Sequence, residues 1–351
     1  MRQLLKGNEA IAEAAIRAGC RGFFGYPITP QNEIPEYMSR RMPEVGGAFL
    51  QAESEVSAIN MVYGAAAAGV RAMTSSSSPG ISLKQEGISY IAASDLPCLI
   101  VNIVRAGPGL GGILPAQSDY FQAVKGGGHG DYKLIVYAPS SVQEGADIAY
   151  KAFDVSEKYR IPVMILGDGV LGQMMEPVVL PDSIDLNGIP KKEWCVSGCK
   201  GRKPNIINSM RIKADDLEKY TIDIYKKHEV IKQNETMVEE YMCDDAEIIL
   251  TAYGTVSRVC KSAISLLRKK GVKTGLIRPI TLFPFCDKVF EKYAKKASVK
   301  KFICSELSMG QMVEDVKLAV NGMKPVLFFG RCGGNIMTED EIYEFVLGVD
   351  K

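Results

Sequence analysis

Gly22-Phe23-Phe24-Gly25-Tyr26-Pro27-Ile28-Thr29-Pro30 decides how the chain folds. Its first four residues read as a short buried strand. Pro27 and Pro30 then break regular structure, so residues 26–30 form a shaped loop at the strand's C-terminal end. Upstream, the Ala-rich residues 8–18 favour a helix that Gly19 and Cys20 stop. Downstream, residues 53–68 read as helix, with Gly64 and the four alanines that follow it allowing close packing. Strands at 71–75, 98–104, 133–137 and 162–166 then alternate with helices at 79–93 and 141–159. Alternation at this spacing implies a parallel sheet covered on both faces.

After residue 245 the alternation resumes. Strands are expected at 246–253, 273–277, 301–305 and 326–329. A helix running to Lys270 and helices near 286–296, 310–320 and 339–347 separate them. The segment between differs: residues 188–234 hold 11 Lys/Arg against 6 Asp/Glu. A solvated linker with one or two helices is preferred there to a basic patch for a partner or an anionic ligand. The expected organisation is α/β, with two open parallel-sheet domains at 1–187 and 245–351 joined by a basic linker at 188–244.

The 351 residues carry 42 basic and 41 acidic side chains, a net charge of +1. That balance argues against nucleic-acid binding through a strong positive field. No apolar run approaches the roughly 20 residues that span a bilayer, so no membrane association is expected. The first seven residues lack a secretory apolar stretch, and a cytoplasmic location follows as an expectation. Nine cysteines, an odd number and mostly far apart, match neither a disulfide framework nor an iron–sulfur run. Cys195 and Cys199 are the one close pair, read as incidental thiols because no second pair or nearby His completes a metal site. His129 and His228 are the two histidines.

Ligands of open parallel sheets sit beyond the carboxyl ends of the strands. Three segments should lie there: 26–30, 53–57 and the Gly-rich 105–119. Gly107, Gly109, Gly111 and Gly112 would let the backbone approach a ligand, but the P-loop Lys-Ser/Thr is missing. Arg105 could grip a carboxylate bidentately or serve as a surface ion-pair residue. Glu55 begins an Ala-rich helix, where capping would explain it and Glu53 is equally eligible. Residues 75–80 look like an N-cap turn whose amides could also face an anion. Gly167-Asp168-Gly169 would open the magnesium and diphosphate motif of thiamin diphosphate enzymes, which closes on an asparagine. Asn187 and Asn205 stand 20 and 38 residues after Gly167, one too near and one too far, so the tripeptide reads as a strand-end turn.

Lys6-Gly7-Asn8-Glu9-Ala10, the loop 25–30, Glu53-Ser54-Glu55, Arg105-Ala106-Gly107-Pro108, Gly127-Gly128-His129-Gly130-Asp131 and Ala252-Tyr253-Gly254-Thr255 occur in one order. This set resembles the alpha-type subunit of 2-oxoacid:ferredoxin oxidoreductases, nearest the 2-oxoisovalerate and 2-oxoglutarate branches. The likeness implies a pyrimidine-binding domain followed by a transketolase C-terminal-like domain. It also implies a thiamin diphosphate shared with a beta-type subunit that holds Mg2+. A gamma-type and a ferredoxin-like subunit would complete a hetero-oligomer, with iron–sulfur clusters on partners, external ferredoxin as acceptor and coenzyme A as co-substrate. Glu55 matches the glutamate that bonds N1′ of the aminopyrimidine, where a buried acid promotes the imino tautomer. Thr29 matches a substrate-contacting threonine and Arg105 the arginine that holds the 2-oxoacid carboxylate, while Tyr26, Pro27 and Ile28 belong to the cofactor-binding loop. His129 has no assigned chemistry and is read as structural.

Two other readings compete: a thiamin-dependent decarboxylase or transketolase-like subunit without iron–sulfur partners, and a scaffold subunit whose catalytic loop has decayed. The missing diphosphate motif opposes the first; Glu55, Thr29 and Arg105 together oppose the second. For the substrate, 2-oxoglutarate would need a second cation. The nearest ones, Arg71, Lys84 and Lys125, have no motif reason to point inward. Leu110, Ile113, Leu114 and Pro115 suit an aliphatic tail, so the expectation leans to branched-chain 2-oxoacids such as 2-oxoisovalerate, with 2-oxoglutarate as the alternative.

Overall fold

The computed structural model describes residues 2–350. β1 (Arg2–Lys6) leads into α1 (Gly7–Arg17), which buries Ala10, Ile11, Ala14 and Ala15. β2 (Gly22–Gly25) follows as the sequence indicated. Residues 33–51 then form two elements that the pattern left unassigned, α2 (Glu33–Glu44) and β3 (Ala48–Gln51). β3 is a largely exposed edge strand, so it carries no buried apolar run to announce it. The alternation continues through α3 (Glu55–Ala67), β4 (Ala72–Ser76), α4 (Ser78–Ala93), β5 (Leu99–Val104) and α5 (Tyr120–Val124). It ends this half with β6 (Ile135–Tyr137), α6 (Val142–Tyr159), β7 (Val163–Asp168) and α7 (Gly169–Gln173). β8 (Met175–Val179) returns antiparallel to β1 as a separate two-stranded ribbon.

The basic stretch contains one long helix, α8 (Ala214–Asn234), and then β9 (Val238–Tyr241). The second half runs β10 (Ile248–Thr251), α9 (Val256–Lys269), β11 (Thr274–Pro279), β12 (Thr281–Phe283) and α10 (Asp287–Ala294). β13 (Lys301–Glu306), α11 (Met312–Val320), β14 (Val326–Gly330) and α12 (Glu339–Asp350) complete it.

The first sheet has the order β12-β6-β7-β5-β4-β2-β3 and the second β14-β13-β10-β11-β9. Both are parallel except at one edge, where β12 pairs antiparallel with β6 and β9 with β11. The expected α/β architecture is present, with two differences from two separate, wholly parallel sheets. A strand from the second half completes the first sheet, and a strand from the basic stretch edges the second. β12 is three residues long and β9 four, and each is placed by pairing with a distant strand rather than by a local pattern.

The halves are held together by polar as well as apolar contacts. Tyr120 packs on Tyr253, ring centroids 5.8 Å apart. Tyr253 OH donates to the Gln117 carbonyl and Gln117 Nε2 donates back to the Tyr253 carbonyl, both at 3.0 Å. Among the described residues, no helix is long and apolar enough to cross a membrane.

Candidate active site

β3, β2, β4 and β5 lie side by side, and their carboxyl ends form one mouth. Glu55 follows β3, the loop 26–30 follows β2, Ser77 follows β4 and Arg105 follows β5. Sequence-distant segments therefore converge because parallel connections return every strand in the same direction.

At α3, Ser54 is the N-cap and its hydroxyl accepts from Ser57 N at 3.2 Å. Capping is thus done by Ser54, not by either glutamate. Glu53 is exposed and accepts from Ser57 Oγ at 2.5 Å, whereas Glu55 is 7% exposed. No hydrogen bond or ion pair engages the Glu55 carboxylate among the described residues. Gly80 explains how it fits: a Cβ there would stand 2.1 Å from Ser76 Oγ and 2.6 Å from Glu55 Oε1. The residues 75–80 are not a simple N-cap turn. Ser77 occupies the cap position of α4 without capping through its side chain, and the Ser76 and Ser77 hydroxyls are buried without partners.

Arg105 is 7% exposed, which overturns its reading as a surface ion-pair residue. Its Nη1 donates to the Thr29 carbonyl at 3.1 Å and its Nη2 to the Leu110 carbonyl at 3.0 Å. No carboxylate lies within ion-pair distance among the described residues, and Nε is buried without a partner. The loop can present the Leu110 carbonyl because Gly111 sits at φ +59°, where a Cβ would stand 1.9 Å from the Ala106 carbonyl oxygen. A cleft of about 350 Å3 opens beside Arg105, lined by Ser78, Asp119, Ser308, Gln311 and Cys332 among others. It lies between the two halves. Burial raises the Asp119 carboxyl above its ordinary value, while Asn102 Nδ2 donates to it at 2.9 Å.

The expectation for the loop's apolar residues fails in this chain. Leu110, Ile113 and Leu114 are 80%, 60% and 56% exposed, and Gly107, Pro108, Gly109 and Ala116 line the cleft instead.

Lys84 overturns a second expectation. It is fully buried, donating to Thr74 Oγ1 at 2.8 Å and to the Ser75 carbonyl at 3.0 Å. Burial pulls its amine down to about 7, against attraction from Glu55. Its signal was present: Ile81, Lys84 and Ile88 share one apolar helical face. Gln31 was also missed; it accepts from Ser75 Oγ and donates to the Tyr26 carbonyl, tying the loop 26–30 to β4.

Asp168 ends β7, caps α7 through Leu171 N at 3.0 Å and accepts from Thr255 Oγ1 at 2.5 Å. The strand-end turn is therefore also a clasp between the halves. His129 is exposed and edges the Tyr90 ring at 6.1 Å, away from the strand ends. Among the described residues, no group of three or more His, Cys, Asp or Glu could hold a metal ion.

The family described as "Pyruvate flavodoxin/ferredoxin oxidoreductase, thiamine diP-bdg" matches residues 13–242, and "Pyruvate:ferredoxin oxidoreductase core domain II" matches 246–342. The chain belongs to the alpha-type subunits of the 2-oxoacid:ferredoxin oxidoreductases. One relative, the ketoisovalerate oxidoreductase subunit VorB of Methanothermobacter marburgensis, is 51% identical over 95% of this chain and 94% of its own length. The 2-oxoglutarate synthase subunit KorA of Methanocaldococcus jannaschii is 37% identical over 99% of both chains. A solved structure of 2-oxoglutarate:ferredoxin oxidoreductase from Magnetococcus marinus superposes with a TM-score of 0.87 and 25% identity. It covers all of this chain, which spans 65% of that longer one.

As a subunit of a 2-oxoacid:ferredoxin oxidoreductase, the chain carries a thiamin diphosphate-binding domain. The strand-end mouth fits one end of that cofactor. The unengaged Glu55 carboxylate, the two orphaned serine hydroxyls and the space kept by Gly80 together make a polar cradle still lacking a partner.

Proposed function

We propose that this chain supplies the pyrimidine half of a shared thiamin diphosphate site in which 2-oxoisovalerate is oxidatively decarboxylated to an acyl-CoA and CO2. Electrons pass to ferredoxin through iron–sulfur clusters on partner subunits, and a beta-type subunit holds the diphosphate and Mg2+. A gamma-type and a ferredoxin-like subunit complete a cytoplasmic hetero-oligomer. When bound, thiamin diphosphate supplies the electron sink for decarboxylation.

The observation that carries this reading is the buried, unengaged Glu55 carboxylate sharing one sheet mouth with the unpaired Arg105 guanidinium. Glu55 exchanges a proton with N1′ of the aminopyrimidine, and its burial keeps water from competing for it. Tyr26, Pro27 and Ile28 form the loop wall against the ring. Arg105 grips the 2-oxoacid carboxylate, and Thr29, whose carbonyl orients Arg105, presents its side chain to the substrate.

A monoacid is favoured over 2-oxoglutarate because Arg105 is the one cation among the residues lining the cleft, and Asp119 would repel a second carboxylate. Relatives named for ketoisovalerate, at 51% and 49% identity, support the same choice over the 37% identical relative named for 2-oxoglutarate. The test is a panel of 2-oxoacids assayed with the reconstituted complex and coenzyme A. Higher kcat/KM for 2-oxoisovalerate than for 2-oxoglutarate is expected. A preference for the diacid would overturn the substrate assignment, and no turnover of any 2-oxoacid would overturn the function.

A further inference from the structure

Pro27 and Pro30 deprive the loop 26–30 of two amide protons, and side chains hold its carbonyls instead. Gln31 Nε2 donates to the Tyr26 carbonyl at 3.2 Å and Arg105 Nη1 to the Thr29 carbonyl at 3.1 Å. The Pro30 carbonyl accepts twice, from Asn8 Nδ2 at 2.9 Å and from Gln173 Nε2 at 3.0 Å. Asn8 stands in the first turn of α1 and Gln173 ends α7, so two helices far apart in sequence meet on one carbonyl.

Asn8 is fully buried. Its amide nitrogen also donates to Glu33 Oε2 at 2.8 Å, at the start of α2. That carboxylate is ion-paired with Lys6 at 2.9 Å and accepts from Gln173 Nε2 at the same distance. A carbonyl and an ion-paired carboxylate only accept, so both amide protons of Asn8 are committed and its orientation is fixed. The arrangement has a cost: Asn8 Oδ1 is buried without a partner among the described residues, against Gly172, where a Cβ would stand 2.8 Å from it. A leucine would fill a similar volume without that cost, so packing alone does not account for an asparagine.

The effect of the clamp reaches Arg105 along the backbone. The ring of Pro30 fixes φ between the Thr29 and Pro30 carbonyls, leaving one soft rotation between them. Two donors on the Pro30 carbonyl therefore restrict the Thr29 carbonyl, which in turn receives the Arg105 guanidinium.

We propose that Asn8 is a positioning residue for Arg105: with Gln173 it clamps the Pro30 carbonyl, so that the Thr29 carbonyl holds the guanidinium in the orientation that meets the 2-oxoacid carboxylate. The proposal rests on the assignment of Arg105 to that carboxylate.

The experiment uses the assembled complex as wild type, Asn8→Leu, Arg105→Met and the double variant. Each is assayed by dye reduction with the 2-oxoacid that the wild type prefers. Asn8→Leu should lower kcat/KM by about tenfold, mostly as a rise in KM, because the carboxylate is held alike in the ground and transition states. Thiamin diphosphate affinity, read by calorimetry, should stay within about twofold. In the Arg105→Met background the same substitution should cost less than about twofold, since the group it positions is gone. A purely structural role would cost the same in both backgrounds. Should Asn8→Leu assemble poorly, Gln173→Met removes the exposed donor to the same carbonyl, and should cost about threefold or more in the wild-type background alone. Equal losses in both backgrounds, an unchanged kcat/KM, or a loss confined to cofactor affinity overturns the proposal. Arg105→Met with wild-type kcat/KM would instead overturn the assignment of Arg105, and the proposal would fall with it.

Discussion

Replacing Arg105 by Met tests the substrate half of the site most directly. The guanidinium is 7% exposed, has no acidic partner among the described residues, and is held by the carbonyls of Thr29 and Leu110. A substrate carboxylate arriving there would find a desolvated cation already oriented. Removing one member of such a buried, hydrogen-bonded charge pair costs about 2–5 kcal/mol. At about 1.4 kcal/mol per decade, kcat/KM for 2-oxoisovalerate should fall between roughly 30-fold and several thousand-fold. Arg105→Lys should retain part of the activity, because a point charge remains while the paired hydrogen bonds do not. The assay is 2-oxoacid-dependent dye reduction by the reconstituted complex, with cofactor affinity measured in parallel. A kcat/KM for Arg105→Met within about twofold of wild type, the span of an ordinary substitution, would refute the role. An equal loss of cofactor affinity would also refute it, since the fault would then lie in the fold of the loop.

Gly80→Ala should lower turnover by about 10²-fold or more, since its Cβ would stand 2.6 Å from Glu55 Oε1 and displace the proton-transfer group; activity near wild type would show that Glu55 need not sit where it does. His228 is buried, and burial with nearby lysines pulls its imidazole down to about 4 from an ordinary 6.5. As pH falls through that window the unfolded chain takes up a proton that the folded chain refuses. Stability should therefore drop by up to about 3 kcal/mol between pH 6.5 and 4, and His228→Leu should flatten that slope in urea titrations. A slope equally steep in the variant would assign the loss to another group. Asp168→Asn should cost about 1–3 kcal/mol through the weakened clasp on Thr255 and Leu171, leaving the complex's Mg2+ requirement unchanged. A weakened response to Mg2+ would place Asp168 at the metal.

Most of the strands that the sequence announced are buried on both sides, with the edge strand β14 the exception. β5 and β7 are fully buried and almost wholly apolar, and β4 lies between β5 and β2 with every residue buried. Such strands read as continuous runs, and their helices follow at regular spacing. The strands it did not announce are sheet edges or belong to the β1–β8 ribbon. β3 has one face in water, while β12 is three residues long and pairs with β6 more than 140 residues upstream in the chain. Nothing local distinguishes such a strand from a loop; only the unfilled edge of a distant sheet selects it. The polar clasps have the same origin. Gln117 and Thr255 find their partners by tertiary closure, which no window of sequence contains.

In the site, place along the chain indicated the loop 26–30, residues 53–57 and Arg105, because parallel strands deliver their carboxyl-end loops to one mouth, while Glu55 and Thr29 were singled out by the family resemblance. Two questions that pattern left open were decided by burial. Glu55 is enclosed and Glu53 is not, a consequence of Ser54 capping α3 between them. Lys84 turns inward because its position on α4 is set by Ile81 and Ile88, which must face the core whatever stands between them. The loop 105–119 is the instructive failure. Its apolar side chains suggested a wall for an aliphatic tail, but Leu110, Ile113 and Leu114 are exposed in this chain. Met309, which lines the cleft, is likewise 79% exposed. Exposed apolar groups are stabilised when another surface covers them. In the proposed assembly that surface is a partner subunit, so the tail of the substrate meets a wall that this chain alone does not complete. On that proposal Arg105, buried within the chain, would fix the common carboxylate end, and the partner's wall would add to the selection against a second carboxylate that Asp119 begins.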